Sequence, residues 1–203
     1  MPSKTIKTPL VVDRYYHIYN RGNNRENIFL REEDYLFFLQ KYTEMIHPFV
    51  NTYAYCLLPN HFHFMIKFDH FEPVGCCQQP SHLFRKFFQY YAVWFNKKHN
   101  RRGSLFTKYY RRIEVSSDDY LRRLIYYIHT NPVKHGITRD FKSYSYSSFG
   151  SYSSFQPSII TRSETLSWFN DDLPEFLAFH NIYEEKPDMR DYIFDEAQEG
   201  FQP

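Results

Sequence analysis

The sequence predicts an α+β domain: an antiparallel sheet covered by helices, with a helical extension at its C-terminal end. Three observations carry this expectation. Short aromatic, β-prone runs alternate with long segments whose apolar residues recur at helical spacing. Two of the β-prone runs, 49–58 and 61–68, are separated only by Pro59-Asn60, a turn pair that predicts antiparallel pairing. The composition is 42% hydrophobic and 21% aromatic, enough to build a core, and 203 residues fit one ordinary domain plus an extension.

The elements follow in order. "RYYHIYN" (14–20) is short and β-prone. "EEDYLFFLQKYTEMIH" (32–47) reads as a helix, with acids in its first turn and His47 before Pro48 at its end. "FVNTYAYCLL" (49–58) and "HFHFMIKF" (61–68) read as the hairpin strands, and 69–80 as a loop. "SHLFRKFFQYYAVWFNKKH" (81–99) is a second amphipathic helix. After Gly103, "SLFTKYYRRIEV" (104–115) predicts a strand. "SSDDYLRRLIYYIHT" (116–130) predicts a helix, begun by the capping spacing Ser116 to Asp119 and stopped by Pro132. The order β-α-β-β-α-β-α is that of the ferredoxin-like split βαβ unit with one more helix. A Ser/Tyr-rich stretch (143–155) and short helical pieces at "SETLSWF" and "DLPEFLAFH" follow. Residues 1–150 are expected to form the main domain and 151–203 an acidic, partly helical extension.

The net charge of +2 conceals an asymmetry. Residues 1–163 hold 23 Lys and Arg against 12 Asp and Glu, whereas residues 164–203 hold 2 against 11. Such a split suggests a basic body facing a polyanion. Basic residues cluster beside aromatics in "LFRKFFQYY", "FNKKHNRRGSLF" and "KYYRRIEV". Cations contact phosphates and aromatic faces stack on unpaired bases, a combination that favours single-stranded nucleic acid. The N-terminal residues lack the apolar region of a secretory leader, and no apolar run approaches the ~18 residues of a membrane span. Three cysteines, Cys56, Cys76 and Cys77, provide neither a disulfide framework nor a C-x-x-C metal pattern, and a reducing cytoplasm is the simplest home.

In the strand 61–68, residues i and i+2 share a face. Phe62, Phe64, Ile66 and Phe68 therefore form an apolar face, while His61 and His63 project together from the other, followed by Met65 and Lys67. Adjacent imidazoles on rigid backbone can chelate a metal ion, although H-x-H alone also describes two polar residues on a solvent face. In the 116–130 helix, Leu121, Leu124, Ile125 and Ile128 form the buried stripe. Tyr127 lies on its flank with Asn131 one turn on, and Tyr126 is expected to face water.

Four segments, "YHIYNRGNNRENIF", "LLPNHFHFMI", "NRRGSLFTKYYRRIEV" and "YIHTNPVKHG", resemble the REP-associated tyrosine transposases, relatives of the single-tyrosine HUH transposases of small insertion sequences. The resemblance spans roughly residues 14–150, in matching order, and continues weakly into "SETLSWFNDDLPEFLAFH". It implies a ferredoxin-like fold. It also implies that His61 and His63 bind a divalent metal, Mg²⁺ or Mn²⁺, with Asn131 as a third ligand where relatives usually carry Gln. Tyr127 then becomes the nucleophile of DNA cleavage and joining. Asn20, Arg21 and Gly22 match the family's DNA-contacting loop. Arg85, Lys86, Arg101, Arg102, Lys108, Arg111 and Arg112 are candidate DNA contacts from their clustering. The partners so implied are single-stranded DNA hairpins, with a homodimer as an open choice and no membrane. Two other functions fit the residues alone: a non-catalytic single-stranded nucleic-acid binding protein of the same fold, and a metal-dependent hydrolase with a water nucleophile.

Overall fold

The computed structural model describes residues 8–71 and 79–182. Four strands, β1 (Tyr15–Arg21), β2 (Val50–Leu58), β3 (His61–Phe68) and β4 (Arg111–Val115), form one sheet in the order β2-β3-β1-β4. Every neighbouring pair is antiparallel. This is the expected α+β, ferredoxin-like arrangement, and it leaves β1 and β3, the two histidine-bearing strands, in the middle.

Helices α1 (Glu32–Met45) and α2 (Pro80–Lys98) cover one face. Phe84, Phe87, Phe88, Tyr91 and Phe95 of α2 meet Tyr35, Phe38 and Tyr42 of α1 over Phe62, Phe64, Ile66 and Phe68. The two helices are locked together at their ends by Asp34, whose side chain is fully buried. Its Oδ2 accepts from the backbone of Leu30 and Arg31 (2.8 and 3.0 Å), and its Oδ1 lies 3.0 Å from Lys98 Nζ and 2.9 Å from His99 Nε2. Burial pushes this carboxyl upward, but the bonds from His99, Lys98 and the backbone win and hold it below its usual range.

Helix α3 (Asp118–Lys134) covers the other face. Leu121, Leu124, Ile125 and Ile128 pack on Tyr53, Ala54, Cys56, Leu58 and Met65. A register shift between Thr52 and Ala54 gives β2 one extra residue. Such a bulge lets Tyr53 and Ala54 both contribute to the α3 side. The chain then adds α4 (Phe149–Tyr152), α5 (Arg162–Ser167) and α6 (Leu173–Ile182), which complete the second core with Phe149, Tyr152, Phe169 and Phe176. The Ser/Tyr-rich stretch runs along the outer edge of β2 and bonds to it. Leu57 N–H donates to Tyr146 O (2.9 Å) and Ser148 N–H to Tyr55 O (3.0 Å). An exposed sheet edge is thereby covered.

Three expectations need correction. The strand expected at 104–115 is regular only over 111–115. Residues 104–107 curl over the end of β1, with Thr107 N–H donating to Arg21 O (3.0 Å) and Leu105 and Phe106 buried in the first core. The cap of α3 is Ser117 rather than Ser116, its side chain accepting from Tyr120 N–H (3.3 Å). Pro132 does not stop α3, which runs to Lys134. The preceding turn supplies side-chain donors to its carbonyls: Thr130 Oγ1 to Tyr126 O and Asn131 Nδ2 to Tyr127 O, both 2.9 Å. Proline at 132 removes the one donor that would meet Ile128 O, and the helix continues for two residues beyond it. The chain turns away just after the helix, at Gly136, with φ +67°.

Candidate functional site

The site is built on the α3-facing side of the sheet. Antiparallel register places directly opposed residues on one face. Cys56 opposes His63, His63 opposes Tyr19, and Tyr19 opposes Arg111; one row along, Leu58 opposes His61 and His61 opposes Arg21. Two imidazoles thus stand in the middle of the sheet, flanked by two arginines from β1 and β4.

His63 is 2% exposed, so it is not the solvent-facing group that H-x-H allows. Burial, then the nearby positive or titratable groups of His17, His61, His135 and Lys134, push its pKa well below the ordinary histidine range. It is a neutral imidazole at neutral pH. Its Nδ1 lies 2.9 Å from Nε2 of His17, and its Nε2 is buried with no hydrogen-bond partner. Beneath it lies an aromatic floor. The rings of His17, Tyr19 and His63 lie nearly parallel, within 24° to 27° of one another, with centroids 4.6 to 5.6 Å apart. His61, half-buried, has its Nδ1 2.6 Å from Asn60 Oδ1. An amide oxygen only accepts, so Nδ1 of His61 carries the proton and Nε2 the lone pair.

Helix α3 lays Tyr127 over this floor. The phenol ring meets His63 edge-on at 5.5 Å and His17 at 6.1 Å, and Tyr127 is 3% exposed. Lys134, two turns on, places Nζ 4.8 Å from the centre of the same ring. His135 comes within 4.7 Å of His61, ring to ring. Asn131 is fully buried, and its Oδ1 has no hydrogen-bond partner. Tyr126, expected to face water, is instead 6% exposed, because α6 packs on that side of α3 with Phe179 and His180 against its ring.

Among the described residues, no group of three or more His, Cys, Asp or Glu side chains is arranged to hold a metal ion. The donors present are two neutral-capable imidazoles and an amide oxygen. Buried His63 Nε2 and Asn131 Oδ1 are polar atoms that lack partners, and such atoms ask for a ligand. In donor type, two imidazole nitrogens and an amide oxygen fit a divalent cation that would complete its shell with other oxygens.

The basic residues divide. Arg21 and Arg111 share the face of the histidines. Arg112 belongs to the opposite face, where it donates to Tyr110 Oη (3.1 Å) and lies over that ring. Arg85 and Lys86 are exposed on α2, across the sheet from Tyr127, and Arg102 and Lys108 are exposed on the loop before β4. Arg101 clasps Glu26 through Nε and Nη2 (3.1 and 2.5 Å), holding the 22–26 loop against the 101–106 loop. Asn20 is 5% exposed, with Oδ1 accepting from Thr107 Oγ1 (2.6 Å) and Arg21 N–H (2.9 Å). It braces the strand end. Gly22 is required where it sits: a Cβ there would overlap the carbonyl of Glu26. Its N–H donates to Asn60 O (2.7 Å), which ties the loop to the residue that orients His61. Sequence reasoning missed His17, Lys134 and His135. The alternation of Tyr15, His17 and Tyr19 in β1 was the available signal, usable only once β1 is known to lie beside β3.

No family model matches the chain, and no curated protein matches it. A solved structure of a REP-associated tyrosine transposase bound to a REP hairpin does match. The TM-score is 0.58 and the identity 14%, and the match covers 78% of this chain and 90% of that one. At that identity the likeness establishes the shared fold, a four-stranded antiparallel sheet with helices on both faces.

Proposed function

We propose that this protein is a metal-dependent single-stranded DNA endonuclease and strand transferase of the tyrosine transposase kind, acting on hairpin DNA. The observation that carries the reading is the edge-on contact of Tyr127 of α3 with His63 of β3, two residues from His61, together with His63 Nε2 and Asn131 Oδ1, both buried and lacking partners. The resemblance of the four motifs supports the same roles, and the neighbour of like fold was solved with a REP hairpin.

His61, His63 and Asn131 would hold Mg²⁺ or Mn²⁺, which supplies a positive charge to polarise the scissile phosphate. The chain does the rest. Arg21 and Arg111 contact phosphate oxygens from either side of the histidines. Tyr127 Oη attacks phosphorus, the P–O3′ bond breaks, the phenol proton passes to water, and the departing oxygen takes up a proton to become a 3′-hydroxyl. Lys134, over the ring, favours the negative charge that develops on the phenol as it deprotonates. The 5′-phosphotyrosine keeps the energy of the broken bond, so a later 3′-hydroxyl reverses the step without ATP. Tyr127 sits against the sheet at 3% exposure, so a strand must bring its phosphate in line, which an unpaired strand does more readily than a stacked duplex.

The test is incubation with a single-stranded DNA hairpin and Mn²⁺, then a denaturing gel. A covalent protein–DNA band with a free 3′-hydroxyl is expected, and little or none with the same sequence as perfect duplex. Free 5′-phosphate ends without an adduct would show a water nucleophile instead. Binding without cleavage would make the protein a non-catalytic binder.

A further inference from the structure

His17 lies within the first segment of the resemblance but is given no role by it, yet it is 1% exposed at the centre of the site and bonded to one of the candidate ligands. A hydrogen bond between two imidazoles needs one N–H and one lone pair. If His63 is to offer Nε2 as a ligand, its proton sits on Nδ1, and Nδ1–H donates to His17 Nε2 across 2.9 Å. His17 Nε2 then supplies the lone pair, and its own proton is on Nδ1. The opposite polarity would place a proton on His17 Nε2 and on His63 Nε2, leaving His63 unable to bind a cation.

We infer that His17 is a positioning residue for His63: by accepting from Nδ1–H it selects the tautomer and fixes the ring plane that present Nε2 to a divalent cation. Asn60 does the equivalent for His61 through its amide oxygen. The pair of ligands is thus oriented by two outer partners from different places, β1 and the β2–β3 turn. The stacked floor adds a second constraint. His17 lies nearly parallel to His63 at 24° and to Tyr19 at 27°, so turning the ring out of this alignment would break both the hydrogen bond and the contact with Tyr19. Outer partners of ligating histidines raise their basicity and fix their orientation, and their loss commonly weakens metal binding by about 10–100-fold.

This inference rests on reading His63 as a metal ligand, and the experiment separates the two. Mn²⁺ affinity is measured by calorimetry on the full chain, with thermal melts to confirm folding. His63→Ala is expected to abolish measurable binding at the site; unchanged binding there would overturn the ligand reading itself. His17→Phe keeps a stacking ring and removes the acceptor, and is expected to weaken Mn²⁺ binding by about tenfold or more. His17→Gln places an amide oxygen near the position of Nε2 and is expected to stay close to wild type. Unchanged affinity in His17→Phe, or equal loss in Phe and Gln variants, would overturn the positioning role while leaving His63 as a ligand. A measurement on the unmodified chain guards against misfolded variants. Long-range ¹H–¹⁵N spectra with Mg²⁺ should show His63 protonated at Nδ1, and protonation at Nε2 would overturn the inference.

Discussion

Single residues carry sharply different duties in this site. Tyr127→Phe removes one oxygen and keeps the ring that packs on His63, so it should abolish the covalent adduct and leave Mn²⁺ and DNA binding near wild type. Tyr126→Phe should cleave normally, since its ring faces α6 rather than the histidines. A denaturing gel of the two variants side by side checks both statements. Gly22→Ala should destabilise by roughly 1–3 kcal/mol, because the added methyl overlaps the Glu26 carbonyl in a packed turn. Urea unfolding measures this, and a wild-type midpoint would show that the turn relaxes freely. At this scale much was legible from the sequence. Strand alternation separated Phe62 and Phe64 from His61 and His63, and helical spacing put Tyr127 beside Asn131. The burial of Tyr126 was not legible. It depends on α6, more than forty residues away in sequence, and helical periodicity knows nothing of a later helix.

Elements fit together through a few buried polar links. α6 is latched to α3 by His129 and His180. His180 Nδ1–H donates to Phe176 O (2.8 Å), so its Nε2 accepts from His129 Nδ1–H (3.0 Å), and His129 Nε2 accepts from Ser148 Oγ–H (2.9 Å). The chain of bonds closes only with both rings neutral. Burial pushes the His180 pKa down to about 4 and His129 well below the ordinary range. The unfolded chain therefore binds more protons than the folded one between the ordinary histidine value near 6.5 and those lower values. Stability from the latch is full above about pH 6.5 and is lost as pH falls towards 4, by at most on the order of 3 kcal/mol for His180. Urea unfolding from pH 7.5 to 5 should show this decline, and His180→Gln should flatten it. A variant slope equal to wild type would remove the latch from the account. A second link holds α5: Glu164 accepts from Tyr15 Oη (2.6 Å), Tyr53 Oη (2.7 Å) and Lys67 Nζ (2.9 Å). Element order and most boundaries could be read from periodicity and turns. The curl at 104–107 could not, because it depends on specific bonds such as Thr107 Oγ1 to Asn20 Oδ1, and the rule that proline stops a helix did not foresee α3 running two residues past Pro132.

Across the whole molecule, charge is unevenly shared. The first 182 residues hold 23 Lys and Arg against 16 Asp and Glu, and residues 183–203, outside the described residues, hold 2 against 7. Removing 183–203 takes away a net charge of −5 and leaves every described residue, Glu164, α5 and α6 among them, in the chain. Affinity for single strands at low salt should rise, because a competing polyanion is gone. Salt titrations of full-length and shortened proteins should differ in slope, and identical slopes would contradict the electrostatic role. A cut at residue 150 would instead remove Tyr152, Phe169 and Phe176 from the second core and destabilise the fold. The charge split itself was plain in the sequence, whereas the dependence of the α3 core on the helical extension became visible only in three dimensions.

The central claim is that Tyr127 itself becomes joined to DNA. It is tested most directly by reacting the protein with hairpin DNA and Mn²⁺, digesting the adduct with nuclease and protease, and sequencing the modified peptide by mass spectrometry. The account predicts a nucleotide linked through its 5′-phosphate to Tyr127 in the peptide containing "LIYYIHTNPVK". A nucleotide on Tyr126, on Tyr19 or on no tyrosine at all would contradict it.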